Sequence, residues 1–519
     1  MLDLPDNFSN IAEKYQFAKV QFSGFSALSY PKVNYSLTLA LQNPAMIRLP
    51  KSLPIILFSG FLIFFILSCR KKDQIDTSPG LQLSFSTDTV FFDTVFPTVG
   101  SVTKRLVVYN TNKNKVSIAD VRLSGGQGSM FRLNVNGTPA ISATNIEIAG
   151  NDSLFVFVRV TVDPNNQNLP FVVSDSIQFT TNGSLQHIKL VAWGRNAIFY
   201  RGTNLKGNII WDSLKAHVIF GSIRIDTNSS LTIMPGTRVY FHKDAYMSVS
   251  FQSTLMIPGT LDHPVRFQGD RMDPFYKDLP GQWGGIFLES GSRDHVVNYL
   301  YIKNGSYGFA VDSMGTQGSP MLAISNSIIQ HMSSAGIFAF GSSVTSVNLV
   351  IGDCGGSCLA LHNGGSYDFR QLTVGNFWSS SVRTSPSVYL SNYSYDTTGQ
   401  KISNPLLKAY FGNVILYGSN EEEIVLDSLP SVPFEYTFDH AILKTQLKTT
   451  NPFRFIHCDV NKDPRFVDIQ KMNYQIDSLS PAINMGAPMG IPFDIRGNDR
   501  GSTPDLGAYE YVEKLKIKN

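Results

Sequence analysis

Five short segments share one register, and their spacing leaves few folds open to this chain. They are Leu300-Tyr301-Ile302-Lys303-Asn304, Ser327-Ile328-Ile329-Gln330-His331, Leu349-Val350-Ile351-Gly352-Asp353, Leu372-Thr373-Val374-Gly375-Asn376 and Val414-Ile415-Leu416-Tyr417-Gly418. The steps between Ile302, Ile329, Ile351 and Val374 are 27, 22 and 23 residues, and the next, to Leu416, is 42. A unit this short cannot bury an apolar side alone. Stacked units can, with the central residues in one column and the strands hydrogen-bonded along the stacking axis. The long step calls for an inserted loop or an extra coil near 383–406. Ile337, Leu359 and Val382 each follow their segment by six residues, which predicts a second strand beyond a bend. Earlier coils fit less evenly: Ser230-Leu231-Thr232-Ile233, Val239-Tyr240-Phe241, Thr254-Leu255-Met256-Ile257 and Val265-Arg266-Phe267.

Composition agrees with an all-β chain. Only 16% of residues are charged, while glycine (41), phenylalanine (36) and tyrosine (21) are abundant, and turn formers with aromatic residues favour many short strands. The net charge of +3 includes no basic block able to neutralise a row of phosphates, which argues against nucleic acid as a partner. No C-x-x-C pair or matching histidine cluster offers a zinc site.

Residues 53–67 read LPIILFSGFLIFFIL, preceded by Arg48 and Lys51 and closed by Leu67-Ser68-Cys69. A basic start, a short apolar core and a small residue at the boundary describe a secretory signal, and the run is short for a membrane span. The Leu-Ser-Cys ending resembles the lipobox of bacterial lipoproteins, which implies that Cys69 is lipidated and becomes the new N-terminus. The expected location is the cell envelope, lipid-anchored and in the outer membrane, with the membrane itself as a partner. Met46 makes an ordinary start for such a signal. Residues 46–68 are therefore read as the signal peptide, and residues 1–45 as an over-extended or disordered segment. Residues 69–80 form a polar tether without periodicity.

Residues 81–196 carry seven or eight short alternating segments punctuated by Gly, Asn and Pro, the pattern of a β-sandwich. Phe91-Phe92-Asp93-Thr94-Val95, Leu106-Val107-Val108-Tyr109-Asn110-Thr111, Val160-Thr161-Val162-Asp163-Pro164 and Leu190-Val191-Ala192-Trp193-Gly194 resemble immunoglobulin-like modules of the abnormal-spindle/major-sperm-protein type. Such modules serve as spacers or binding platforms and carry no catalytic set.

In the following region, 200–450, Gly281-Gln282-Trp283-Gly284-Gly285-Ile286 resembles a phrase of the pectate-lyase-like superfamily. The predicted fold class is thus all-β, an N-terminal β-sandwich followed by a right-handed parallel β-helix. Residues 451–513, from Asp463-Pro464-Arg465-Phe466 to Asp505-Leu506-Gly507-Ala508-Tyr509-Glu510, resemble the closing segment of such proteins. A cap over the last open coil accounts for Asp494, Arg496, Asp499, Arg500 and Asp505, with a calcium site there as the minor alternative.

Chemistry is harder to find. Asn304, His331, Asp353 and Asn376 share one register position. There His331 beside Asp353 forms an acid–base pair if it is exposed, or part of a polar ladder at a bend if it is not; the ladder is the preferred reading. Between the inward residues, Tyr301, Lys303, Ile328, Gln330, Val350, Gly352, Thr373 and Gly375 face outward without an acid among them. That counts against a polysaccharide lyase or a glycoside hydrolase, which needs two carboxylates. Asp270, Asp273 and Asp278 are the best metal candidates, but they lack the spacing of a calcium loop. Arg293-Asp294-His295, and His362 with Asp368, stand as isolated polar turns. Cys354-Gly-Gly-Ser-Cys358 reads equally as a disulfide across a bend or as buried free thiols. The leading expectation is a lipid-anchored protein presenting a β-helix surface to polysaccharide or other envelope material without catalysis. A carbohydrate-active enzyme is second, and a purely structural envelope component third.

Overall fold

The computed structural model describes residues 74–513 apart from 96–100, 102, 162–170, 195, 273–274, 313–318 and 397. The signal peptide, Cys69 and Asp273 lie outside the described residues.

Two five-stranded sheets form the first part. One joins Ser84–Phe85, Lys104–Asn110, Asp152–Val160, Phe131–Val135 and Thr138–Ala140; the other joins Thr89–Val95, Ser184–Gly194, Phe171–Thr181, Val116–Leu123 and Ser142–Ile148. Pairing is antiparallel except between Thr89–Val95 and Ser184–Gly194. Alternate residues such as Leu106, Val108, Val156, Val158, Phe179 and Leu190 point between the sheets and are buried. The segment is a β-sandwich, because a period of two places every second side chain on the shared inner face.

From Ala197 onward the chain is a parallel β-helix, twenty strands in one wound sheet. The predicted register is the observed one. Ile302 pairs with Ile329, then Ile351, Val374 and Leu416 follow in turn, and the column extends to Val239 and Phe267 on one side and to Leu443 and Val460 on the other. From Val239 to Leu443 these side chains are buried, each contributing roughly 1.5–3 kcal/mol of hydrophobic stabilisation. The ladder ends with Phe455–Val460, past residue 450.

Each coil has three straight runs. In Leu359–Asn376 they are 359–362, 366–370 and 372–375. A single residue with positive φ turns the second run into the third in successive coils: Tyr299, Asn326, Asn348, Gln371, Asn413, His440 and His457. Asparagine tolerates this backbone best among residues with a side chain, and its amide links the coils: Asn326 donates to Asn298 at 2.8 Å and Asn348 to Asn326 at 2.9 Å. Inside, Phe369, Phe411, Phe438 and Phe455 stack at 5.4, 4.9 and 5.5 Å. Trp283 of the Gly-Gln-Trp-Gly-Gly-Ile phrase fills the core against Phe241 at 3.9 Å and donates to the Lys303 carbonyl.

One detail departs from the sequence reading, and the long step resolves as the expected inserted loop. Val388, not Val382, continues the Ile337–Leu359 column; Val382 is 91% exposed. The 42-residue step holds one ordinary coil strand, Val388–Ser391, plus an inserted loop and the hairpin Tyr393–Tyr395/Lys401–Ser403. The loop is pinned from within: Arg383 bonds Glu423 at 2.6 and 2.9 Å, and Ser387 and Asn420 fill the remaining acceptor sites of the carboxylate.

Candidate functional site

The three faces of the β-helix differ in what they offer to a ligand. The third face, expected to be the open one, is covered. The closing segment lies along it: Tyr474 rests on Gly352 and Gly375, Gln330 donates to the Met472 carbonyl, Asn348 to the Phe493 carbonyl, and Ala508 to Thr373. Val350, Tyr474, Ile495 and Ala508 form one apolar seam there, and Ile415, Ile442, Ile476, Ala482 and Leu506 another. The expected cap is therefore also a flank cover, because the outward Ile and Val side chains of these coils need burial as the inward ones do. Asp494 and Asp505 hold this segment by accepting backbone N–H groups, and Arg500 by bonding Glu510 and Asn348.

His331 and Asp353 are adjacent, Nδ1 to Oδ2 at 2.5 Å, and both are buried. Asn304 and Asn376 in the same column bond backbone groups of neighbouring segments, the behaviour of a polar ladder. Beyond His331, its Nε2 lies 3.8 Å from Asp278, which also pairs with Lys303 at 2.9 Å. Burial pushes the Asp278 carboxyl up, but the hydrogen bond and charge of Lys303, with His331 and Lys277, bring it below its ordinary value. This group straps the 275–282 loop onto the bend.

Asp270 and Asp278 are not brought together as a metal site. Asp270 pairs with His242 at 2.7 Å, Asp278 with Lys303, and among the described residues no group of three or more potential ligands is arranged to hold a metal. Cys354 and Cys358 are buried free thiols, not a disulfide; burial, then the hydrogen bond to Cys354, pushes the Cys358 thiol well up. His295 is no exposed turn residue either. It is fully buried, accepting from the Leu255 amide on Nδ1 with Ser292 at Nε2, and burial lowers it to about 3.

The first face carries what the sequence reading missed. Rings from successive coils form a continuous row: Tyr246, Phe287, Tyr307, Phe338, His362 and Tyr389, each 4.7–6.2 Å from the next. At its end, Tyr389 and Tyr393 both donate to Asp427 Oδ2 at 2.8 Å, and the hairpin lies alongside. His362, Tyr389, Tyr393 and Asp427 are half-buried. Burial lowers His362 to about 4 against a weaker pull from Asp427, so near neutrality it is an uncharged aromatic platform. Burial, and then the bond to Asp427, push both tyrosine hydroxyls up. These rings come from successive coils at staggered register positions, so one-dimensional periodicity shows them as unrelated aromatics. The only sequence signal was the excess of Phe and Tyr.

The second face carries a charged cluster. Asp368 bonds Arg370 at 2.9 and 3.1 Å and Lys408 at 2.6 Å, while Tyr410 donates to Asp439 at 2.7 Å. Asp439 in turn lies 2.7 Å from His440 Nδ1. His362 and Asp368 thus sit on different faces and in different networks.

No protein-family model matches the chain, and no curated protein matches it. Among solved structures it has slight likenesses to a family 123 glycoside hydrolase from Clostridium perfringens (11% identity, 25% of this chain, 30% of that one, TM-score 0.18). Others are the Vibrio cholerae VesB protease (15%, 22% and 32%, TM-score 0.16) and a protein of unknown function from Porphyromonas gingivalis W83 (11%, 24% and 60%, TM-score 0.15). The chain spans about a third of the first two. Likenesses of this size carry no functional information.

Proposed function

We propose that this chain is a cell-envelope lipoprotein, anchored in the outer membrane through Cys69, whose β-helix binds a glycan along its first face without turning it over. The observation behind this reading is the ring row that ends at Asp427. Aromatic faces present large apolar area at low entropic cost, and a tyrosine hydroxyl or carboxylate beside them bonds the polar edge of the same ligand. Sugar rings have both kinds of surface. The sandwich then acts as a spacer between tether and binding face.

A hydrolase or lyase reading draws on the carboxylates Asp368 and Asp439 of the second face. A glycosidase acid needs a carboxyl group held protonated. Asp368 is biased the other way: burial raises it, but bonds from Arg370 and Lys408 bring it below its ordinary value. Asp368 therefore does not fit the role of that acid, which favours binding over turnover at this cluster.

The test has two arms. Metabolic labelling with a fatty acid is expected to mark the wild-type chain and not Cys69→Ala; an unlabelled wild type defeats the anchor. A panel of uronic-acid and neutral polysaccharides is expected to show retention on at least one polymer, lost in Asp427→Asn and Tyr389→Ala, with no product released. Product release abolished by Asp439→Asn would favour the enzyme, and neither retention nor release would favour a structural component.

A further inference from the structure

We propose that His440 and His457 form a binding site for one borderline divalent transition-metal ion, Zn²⁺ or Cu²⁺, with Asp439 as the residue that orients it. The site is separate from the aromatic face and does not depend on the glycan reading.

The fold brings the two histidines together. They occupy the same bend in adjacent coils, with φ of 54° and 47°, because Asp439 pairs with Ile456 and Ala441 with Cys458. Their ring centroids are 4.6 Å apart at 57°. His457 is exposed, and its ring makes no hydrogen bond among the described residues. The hydrogen bond of the His440 ring is to Asp439 Oδ1 at 2.7 Å.

That bond decides the chemistry of the ring. A carboxylate only accepts, so Nδ1 carries the proton and the neutral ring keeps a lone pair on Nε2. A carboxylate behind a histidine is the usual support of a metal-ligating imidazole, fixing its tautomer and orientation and raising its basicity. Asp439 is itself held from the other side by the Tyr410 hydroxyl at 2.7 Å. Imidazole nitrogens select borderline ions such as Zn²⁺ and Cu²⁺ over the hard, oxygen-seeking Ca²⁺ and Mg²⁺.

A purely conformational role explains the site less well. Earlier in the same column Asn326 and Asn348 use their amides to link coils, and the paired histidines make no such bond. Cys458, beside His457, donates to the Phe438 and Ile456 carbonyls and packs on the core, so it is not a third ligand. Two protein nitrogens are one fewer than an open zinc site supplies, and they leave the remaining coordination positions to water or to a bound molecule.

The experiment is calorimetric titration of the tag-free chain at neutral pH with Zn²⁺, Cu²⁺ and, as a hard-ion control, Mg²⁺. One Zn²⁺ or Cu²⁺ per chain is expected, with Mg²⁺ silent. Asp439→Asn should weaken the site roughly 10–100-fold, and His457→Ala should abolish it while the metal-free chain still unfolds cooperatively, since that side chain is exposed. His263→Ala, an exposed histidine elsewhere, should bind as wild type. No saturable binding, or a His457→Ala chain binding as tightly as wild type, overturns the proposal.

Discussion

The ring of Tyr474 lies so close across Gly352 that a β-carbon there would sit 2.4 Å from its Cε2 atom; at Gly375, one coil on, the same distance to Cε1 is 2.4 Å. Two glycines in consecutive coils thus make the groove that seats the closing segment. Gly352→Ala and Gly375→Ala should each destabilise the protein by about 1–3 kcal/mol through overpacking and loosen residues 466–511. Thermal unfolding and limited proteolysis check this; unchanged cleavage of that segment would count against the seat.

Arg383 and Glu423 form an ion pair with side chains 1% and 0% exposed. Removing one partner of a buried pair leaves an uncompensated charge and typically costs 3–5 kcal/mol. Glu423→Gln and Arg383→Met are expected to fall in that range in denaturant titrations. The double variant should recover part of the loss, because the charge left stranded by either single change is then gone. Additive losses would mean that the two residues do not interact.

Acid should destabilise this fold through its buried histidines. Burial lowers His295 from 6.5 to about 3, so the folded chain keeps it neutral where the unfolded chain takes up a proton. A depressed folded value contributes stability that is complete above pH 6.5 and lost as pH falls toward 3, at roughly 1.4 kcal/mol per pH unit. His362, lowered to about 4, acts with the same sign over a narrower window. Stability measured against pH should fall less steeply over this window in His295→Asn than in wild type; equal slopes would remove His295 from the account.

The three described cysteines should be silent to a thiol reagent in the native chain. Cys354 and Cys358 are buried out of a reagent's reach, and burial followed by the charge of Asp439 raises Cys458 to about 12, so little of its reactive thiolate exists at neutral pH. After unfolding without reductant, all three should react. Only one reacting would reveal a bridge between Cys354 and Cys358.

On the aromatic face, Tyr389→Phe keeps the ring and removes the hydroxyl that reaches Asp427. If the face stacks on a glycan, Tyr389→Phe should bind between wild type and Tyr389→Ala, with ring removal costing about 0.5–1.5 kcal/mol more than hydroxyl removal. Retention assays on the best polysaccharide measure the order, and equal losses in both variants would argue against stacking.

Much of the architecture was legible because it is local and repetitive. A strand shows itself through a period of two, and a coil through the return of Ile302 as Ile329, Ile351 and Val374. Val382 misled because the inserted loop displaced the true column member to Val388; a fixed offset from the last segment fails wherever a bend changes length.

The amino-acid order by itself therefore determined the wound sheet, its register, the preceding sandwich and the bend ladder holding His331 and Asp353, since each depends on short-range periodicity that burial must satisfy. Tertiary structure alone decided which outer face is covered and which rings line up. The covering of Val350 and Thr373 by Tyr474 and Ala508 joins residues more than a hundred positions apart, and the row from Tyr246 to Tyr389 aligns only once coils of unequal length are stacked. Contacts across such separations depend on where each coil closes, which no local pattern encodes.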